Sequence, residues 1–160
     1  MEMAAVRMPV VVTLGPIGDD NLEAVLALRV SEAQENFVSS VADSLQEARD
    51  EPGGRAITWA IYDEETPVGF VMISDEVEGP GYIAHFLWKL LIDERYQRGG
   101  FGTATLDLVA AYFRERGVDV MWTSAGQGDG SPVTFYERYG FERTGDIVFD
   151  DEILLRLALT

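Results

Sequence analysis

Between Leu87 and Thr103 a largely apolar run, a short polar turn and a cluster of glycines follow one another without a break. This junction constrains the chain more than any other stretch. Leu87-Trp88-Lys89-Leu90-Leu91-Ile92 has the character of a buried strand. Gln97-Arg98-Gly99-Gly100-Phe101-Gly102 then reads Gln-x-x-Gly-x-Gly, and an amphipathic segment starts at once. Glycines where a strand hands over to a helix let the backbone come close to a bulky object. The N–H groups of the helix's first turn have no partner inside the helix and point outward, with the positive end of the helix dipole behind them. A junction of this kind is suited to a phosphate or pyrophosphate. Two common phosphate loops do not fit it. The spacing is not Gly-x-Gly-x-x-Gly, whose strand would normally stand near the N-terminus, and no Gly-Lys-Ser/Thr closes the turn.

The remaining chain alternates strand and helix patterns. Residues 9–14, rich in valine, predict a first strand ended by Gly15-Pro16. Asp20 is placed to cap a helix, with Glu23 as its capping-box partner and Leu22, Val25, Leu26 and Val30 as the apolar stripe. A second helix is expected through Phe37, Val38, Val41 and Leu45, stopped by Glu51-Pro52-Gly53-Gly54. Residues 56–62 and 68–74 predict two strands around a turn at 63–67, and residues 82–92 a long strand. Residues 101–116 form a helix with Leu108, Val109, Tyr112 and Phe113 inward and Gly117 at the left-handed position after it. A strand at 118–123 and a glycine-rich loop lead to a short helix capped by Ser131, with Pro132 first and Gly140 closing. A hairpin of 144–149 and 152–159 turns at Asp150-Asp151. The order predicts one α/β domain over residues 1–160, a mixed, mostly antiparallel twisted sheet of about six to seven strands flanked by about four helices.

Composition narrows the function. No apolar run approaches the roughly 18 residues that cross a bilayer, and Glu2 stands where a signal peptide carries positive charge, so the chain reads as cytoplasmic. Without cysteine, disulfides, thiolate metal sites and a cysteine nucleophile are excluded, and a single histidine, His85, excludes a histidine-rich metal site. A net charge of −16 argues against nucleic acid and anionic membrane surfaces, both of which need a basic footprint, and is compatible with a cationic substrate or with acidity that serves solubility.

With the nucleotide loops set aside, Gln97-x-x-Gly100-x-Gly102 resembles the acetyl-CoA loop of the GNAT superfamily of N-acyltransferases. Phe135-Tyr136-Glu137-Arg138-Tyr139-Gly140-Phe141 is similar to that family's (Leu/Phe)-Tyr-x-x-x-Gly-Phe element. Val30-Ser31-Glu32-Ala33-Gln34-Glu35-Asn36-Phe37-Val38, Pro67-Val68-Gly69-Phe70 and Phe141-Glu142-Arg143-Thr144-Gly145 resemble a bacterial diamine or spermidine/spermine acetyltransferase subgroup. The resemblance implies acetyl-CoA as cosubstrate, no metal, and a small cationic amine as acceptor. Leu90, Leu91 and Ile92 would offer backbone groups to the pantetheine arm. Gln97, Arg98, Gly99, Gly100, Gly102 and Thr103 would wrap the pyrophosphate, and Ser131 would stand where many relatives place an asparagine. Tyr136 would protonate the leaving thiolate as general acid.

The general base does not carry over. Some polyamine acetyltransferases have a glutamate partway along the strand before the loop, where this chain has Trp88 or Lys89. Glu35 is the expected base, with Glu32 and His85 as alternatives. Glu32, Glu35, Asp43 and Glu47 are expected on the acceptor side, and Trp88 and Trp59 as aromatic walls for an alkylammonium chain. Aminoglycoside or protein N-terminal acetylation, and a non-catalytic acetyl-CoA sensor, are the competing readings. A homodimer would pair Ile153-Leu154-Leu155 across subunits, unless that strand completes the chain's own sheet.

Overall fold

The computed structural model describes residues 10–160; Pro9 and Glu2 lie outside them. Seven strands make one sheet: β1 (Thr13–Gly15), β2 (Ala56–Asp63), β3 (Thr66–Ser74), β4 (Phe86–Ile92), β5 (Val120–Ala125), β6 (Glu142–Val148) and β7 (Glu152–Ala158). Four helices accompany them: α1 (Leu22–Leu26), α2 (Val41–Asp50), α3 (Phe101–Glu115) and α4 (Val133–Tyr139). The strand order is β1-β2-β3-β4-β5-β7-β6. Every neighbouring pair is antiparallel except β4 and β5, which run parallel because α3 crosses between them. β7 lies inside the sheet, paired with β5 on one side and β6 on the other, so Ile153-Leu154-Leu155 completes the chain's own sheet.

The sheet buries both faces. Val68, Val71 and Ile73 of β3 join Leu106, Val109 and Phe113 of α3 and Tyr136 of α4 in one core. Phe70 and Met72, on the alternate positions, join Val25, Leu28 and Val41 beneath α1 and α2 in the other. Full burial of side chains this size stabilises by about 1.5–3 kcal/mol each, which pins the strand register from both sides.

Several boundaries differ from the sequence expectation for local reasons. Asn21 rather than Asp20 holds the position before the first helix, and its Oδ1 accepts from the preceding Gly18 N–H at 2.8 Å instead of from the helix's first turn. The helix also stops at Leu26, short of Val30. The buried Asp93 carboxylate accepts the Arg29 N–H at 2.9 Å, and the Glu94 N–H donates to the Arg29 carbonyl at 2.7 Å. The chain is thereby tied to the loop after β4 before another helical turn can form. The second helix begins at Val41, where the Ser40 hydroxyl accepts the Asp43 N–H at 3.1 Å, leaving Phe37 and Val38 in a loop. β4 starts at Phe86 rather than at residue 82, because His85 takes a left-handed φ of 56° and donates its N–H to the Asp75 carbonyl. Pro132 is the residue just before α4 rather than its first position.

Candidate active site

The site begins with one extra residue. Opposite β3, Met72 faces Lys89 and Ile73 faces Leu87, so Trp88 is a bulge in β4. Alternation breaks there, and Trp88 and Lys89 both face α2. Trp88 Nε1 donates to Glu47 Oε1 at 3.1 Å, while Lys89 Nζ lies 3.0 Å from Glu47 Oε2 and donates to Ser39 Oγ at 3.1 Å. Past the bulge β4 parts from β5 while it stays paired with β3. Only Phe86 and Leu87 pair with β5, opposite Trp122 and Thr123. From Leu90 to Ile92 the strand has a ladder partner on the β3 side alone, and the sheet opens into a V.

Two cavities fill that opening and meet at Val30, Val38, Leu90, Pro132 and Tyr136. The first, about 790 Å³, takes in Leu90, Ile92, Gln97, Arg98, Gly100, Gly102, Thr103, Ser131 and Tyr136. These are nine of the residues expected around the cosubstrate. Gly100 has a φ of 86°, turning the chain so that α3 begins with its amides facing the cavity. Arg98 is also left-handed, at φ 64°. Gln97 Nε2 donates to the Ile92 carbonyl at 2.8 Å and to Gln34 Oε1 at 2.7 Å, fixing the loop between β4 and the opposite wall. The charged side chains on this cavity are Arg98 and Arg138, with no carboxylate. Arg138 escaped the sequence reading; its place three residues before Phe141 in the second motif carried the signal. Gly99 packs against Phe101 and does not line the cavity, so its role is the turn.

The second cavity, about 970 Å³, lies on the other side of the β4 strand and is lined by Leu91, Trp88, Lys89, Arg29 and four carboxylates, Glu35, Asp43, Asp151 and Glu152. It continues through Trp88, Lys89, Ser124 and Glu152 into a smaller recess of about 260 Å³ that adds Glu47, Glu51, Tyr82 and Phe149. Glu35 stands exposed at the rim, and Glu32 lines neither side. His85 turns its ring onto Phe113 at 5.6 Å, and Trp59 packs on Tyr112 at 5.3 Å, so both belong to the α3 core rather than the cleft.

Tyr136 sits where the two cavities join, 5% exposed. Burial pushes its hydroxyl up to about 12, while a hydrogen bond with Thr123 acts the other way. The hydroxyl therefore stays protonated across the whole working pH range, a proton donor whose oxygen can still accept. Ser131 is placed by its own turn: the Val133 N–H donates to its Oγ at 3.3 Å, and the hydroxyl donates to the Gly126 carbonyl. Tyr139, next in the motif, points away and donates to Asp107 Oδ1 at 2.6 Å.

A splayed β4/β5 pair, a bulge at its apex and a glycine turn feeding a helix N-terminus define an acyl-CoA N-acyltransferase fold. Comparison with known proteins agrees: a family model described as the Acetyltransferase (GNAT) family matches residues 22–141. The chain belongs to the GNAT acetyltransferase family and is an acetyl-CoA-dependent N-acetyltransferase. Among curated relatives it is similar to a spermine/spermidine N(1)-acetyltransferase of Bacillus subtilis (strain 168), 28% identical over 151 residues, covering 88% of this chain and 94% of that one. Among solved structures it shares its fold with a GNAT-family acetyltransferase from Desulfovibrio desulfuricans, with TM-score 0.66, 22% identity, and 93% and 98% of the two chains covered. The PaiA N-acetyltransferase of Thermoplasma acidophilum, solved in complex with coenzyme A, superposes with TM-score 0.65 at 13% identity, covering 92% and 98%.

Proposed function

We propose that the protein transfers the acetyl group of acetyl-CoA to a primary amine of a small polyamine. The observation that carries this reading is the division of charge across β4. The cosubstrate side holds Arg98 and Arg138 and no carboxylate. The acceptor side and its recess hold Glu35, Asp43, Glu47, Glu51, Asp151 and Glu152 against Arg29 and Lys89. A pyrophosphate suits the first, and an alkyl chain with several ammonium groups suits the second. The aromatic rings of Trp88, Tyr82 and Phe149 give that alkyl chain an apolar wall. The similarity to a spermine/spermidine acetyltransferase points the same way.

The cosubstrate would lie along the open edge of β4 from Leu90 to Ile92, its pyrophosphate on the amides that open α3, with Gln97 and Arg98 beside it. Tyr136 is the general acid. Tyr136 lines both cavities where they join, its hydroxyl hydrogen-bonded to Thr123, and there it would meet the sulfur. A thiol of ordinary acidity titrates near ~8.5. With Tyr136 near 12, a complete proton transfer from the tyrosine alone is uphill by about 5 kcal/mol. The hydroxyl therefore donates a hydrogen bond to the departing sulfur and passes on a proton that it receives from the acetylated nitrogen. Replacing Tyr136 by Phe keeps the ring's packing against Phe135 and Phe141 and removes that donor.

The test is a thiol-release assay with acetyl-CoA against spermidine, spermine, putrescine, aminoglycosides and short peptides, run on the wild type and Tyr136→Phe. Turnover confined to the polyamines, with kcat reduced about a hundredfold in the variant and coenzyme A affinity retained, supports the reading. Preference for a peptide or an aminoglycoside rejects the polyamine assignment. Full activity in the variant rejects Tyr136 as the acid.

A further inference from the structure

The chain needs a group to take the proton of the incoming ammonium, and the acceptor cavity shows which side chain is free to do so. Of its carboxylates, Glu35, Asp43 and Asp151 are exposed to solvent. Glu47, in the recess beyond, is already engaged by Lys89 and by Trp88. Glu152 is different. It opens β7 directly after the turn, one residue before Ile153 pairs with Ala125 at the end of β5. There it lines both the main acceptor cavity and the recess, with Tyr136 on the same main cavity. It is half-buried, and its one side-chain hydrogen bond is accepted from Ser124 Oγ at 3.1 Å. Among the described residues it has no ion-pair partner: Lys89, the cation whose charge acts on it, is tied to Glu47 and Ser39. A half-buried carboxylate with one neutral hydrogen bond and open lone pairs facing a cavity is short of a cation.

We infer that Glu152 receives the acceptor's ammonium group and removes its proton, so that the base of this enzyme stands on β7. This deepens the amine-acetylation reading but does not require the amine to be a polyamine. The ammonium gives one proton to the Glu152 carboxylate and recovers its lone pair. That pair forms the N–C bond to the thioester carbonyl carbon, and the C–S bond breaks with its electrons on sulfur. The nitrogen's second proton reaches the sulfur through the Tyr136 hydroxyl, and the proton on Glu152 leaves to solvent. Ammonium and thioester thus give amide, thiol and one free proton. The environment supports the role. Burial holds the Glu152 carboxyl above the ordinary glutamate value, Asp151 and Glu47 add to that, and Ser124 and Lys89 act in the opposite sense. A raised value makes a better proton acceptor for an alkylammonium near ~10.4.

The experiment is the pH profile of kcat/KM, from pH 5.5 to 10, for wild type and Glu152→Gln. The amine is whichever member of the panel the wild type acetylates fastest. A wild type that prefers a peptide therefore removes the polyamine reading without touching this comparison. The glutamine keeps size and can still accept from Ser124, and a thermal melt shows whether it folds. The expected result is a wild-type advantage of tenfold or more near pH 7.5, with the KM for acetyl-CoA unchanged. That advantage shrinks below the Glu152 pKa, where the carboxyl is protonated. It shrinks again toward pH 10, where the amine deprotonates by itself. Ser124→Ala, which keeps Glu152 but removes the hydrogen bond lowering its pKa, moves the acid limb of the profile upward. Equal rates in the glutamine variant, or a deficit that does not change with pH, overturns the assignment; so does an acid limb unmoved by Ser124→Ala.

Discussion

The two sides of β4 are built from different parts of the polypeptide. On the proposed cosubstrate side the candidate groups belong to the main chain: the unpaired edge from Leu90 to Ile92, the left-handed turn at Gly100 and the first amides of α3. On the proposed acceptor side they are side chains gathered from four separate elements: Trp88 and Lys89 from the bulge, Glu47 from α2, Ser124 from β5 and Glu152 from β7. A backbone site demands particular conformations at particular spacings, and glycine is the residue that grants them. A side-chain site demands only that the fold bring carboxylates together, and any exposed helix face carries carboxylates. The first kind of site tolerates no change of spacing. The second can shift its groups from one strand to another and keep its chemistry.

The largest effect is expected from Gly100→Val. At φ 86° a β-branched residue is forced out of its allowed region, and its Cβ would stand 3.1 Å from Val10. Acetyl-CoA affinity should fall at least a hundredfold by calorimetry. Gly117→Val is the control. Gly117 has a comparable φ of 77° just after the far end of the same helix, with nothing within 4 Å of a Cβ. It should lose about 1–2 kcal/mol of stability and keep its coenzyme A affinity. Equal affinity in both variants would mean that α3's first turn is not the phosphate site.

The same contrast explains what could be read from the sequence. The glycine loop, Tyr136 and the element order were legible because each is a local pattern: strand, turn, capped helix, motif. Nine of the expected cosubstrate residues do share one cavity. Glu152 was not legible. In the sequence it is the last of three consecutive acids at a turn, Asp150-Asp151-Glu152, and only the pairing of β7 against β5 brings it beside Ser124. Glu47 reads as a surface helix position until the bulge aims two successive β4 residues at it. The early end of α1 was hidden for a related reason. Its cause is Asp93, far along the chain, whose buried carboxylate competes for the Arg29 N–H.

Asp93 is the joint between the two sides and carries the next largest effect. It is 2% exposed and accepts hydrogen bonds from Arg29 N, Arg95 N and Arg95 Nε. Burial alone would raise its pKa, but the Arg95 side chain and the two backbone N–H groups outweigh it, and the folded value lies below the ordinary one. Stability from this group is therefore present above the unfolded pKa, about 3.9, and is lost as pH falls through the lower folded value. Asp93→Ala leaves two partly buried backbone donors without their acceptor and should cost about 2–4 kcal/mol, or roughly 5–15 °C in Tm at pH 7. The gap between variant and wild type should narrow below pH 4. A gap of the same size at pH 3 and pH 7 would assign the loss to packing rather than charge.

The gentlest probe is Lys89→Met. Lys89 is the one cation that the bulge places among the acceptor-side acids, and its side chain is 16% exposed. Methionine matches its length and apolar stem but releases Glu47 from its ion pair, leaving Trp88 as that carboxylate's remaining donor. A free carboxylate next to the recess should then attract a distal ammonium of the acceptor. The expected change is a fall of about two- to fivefold in KM for long polyamines, because a partly solvated pair contributes only about a kcal/mol. A monoamine has no second ammonium to place there and should show no change. The KM for acetyl-CoA, whose cavity Lys89 does not line, should also hold. If the monoamine and the polyamine respond alike, Lys89 acts on the reacting nitrogen itself, and the recess beyond Trp88 is not where the rest of the substrate lies.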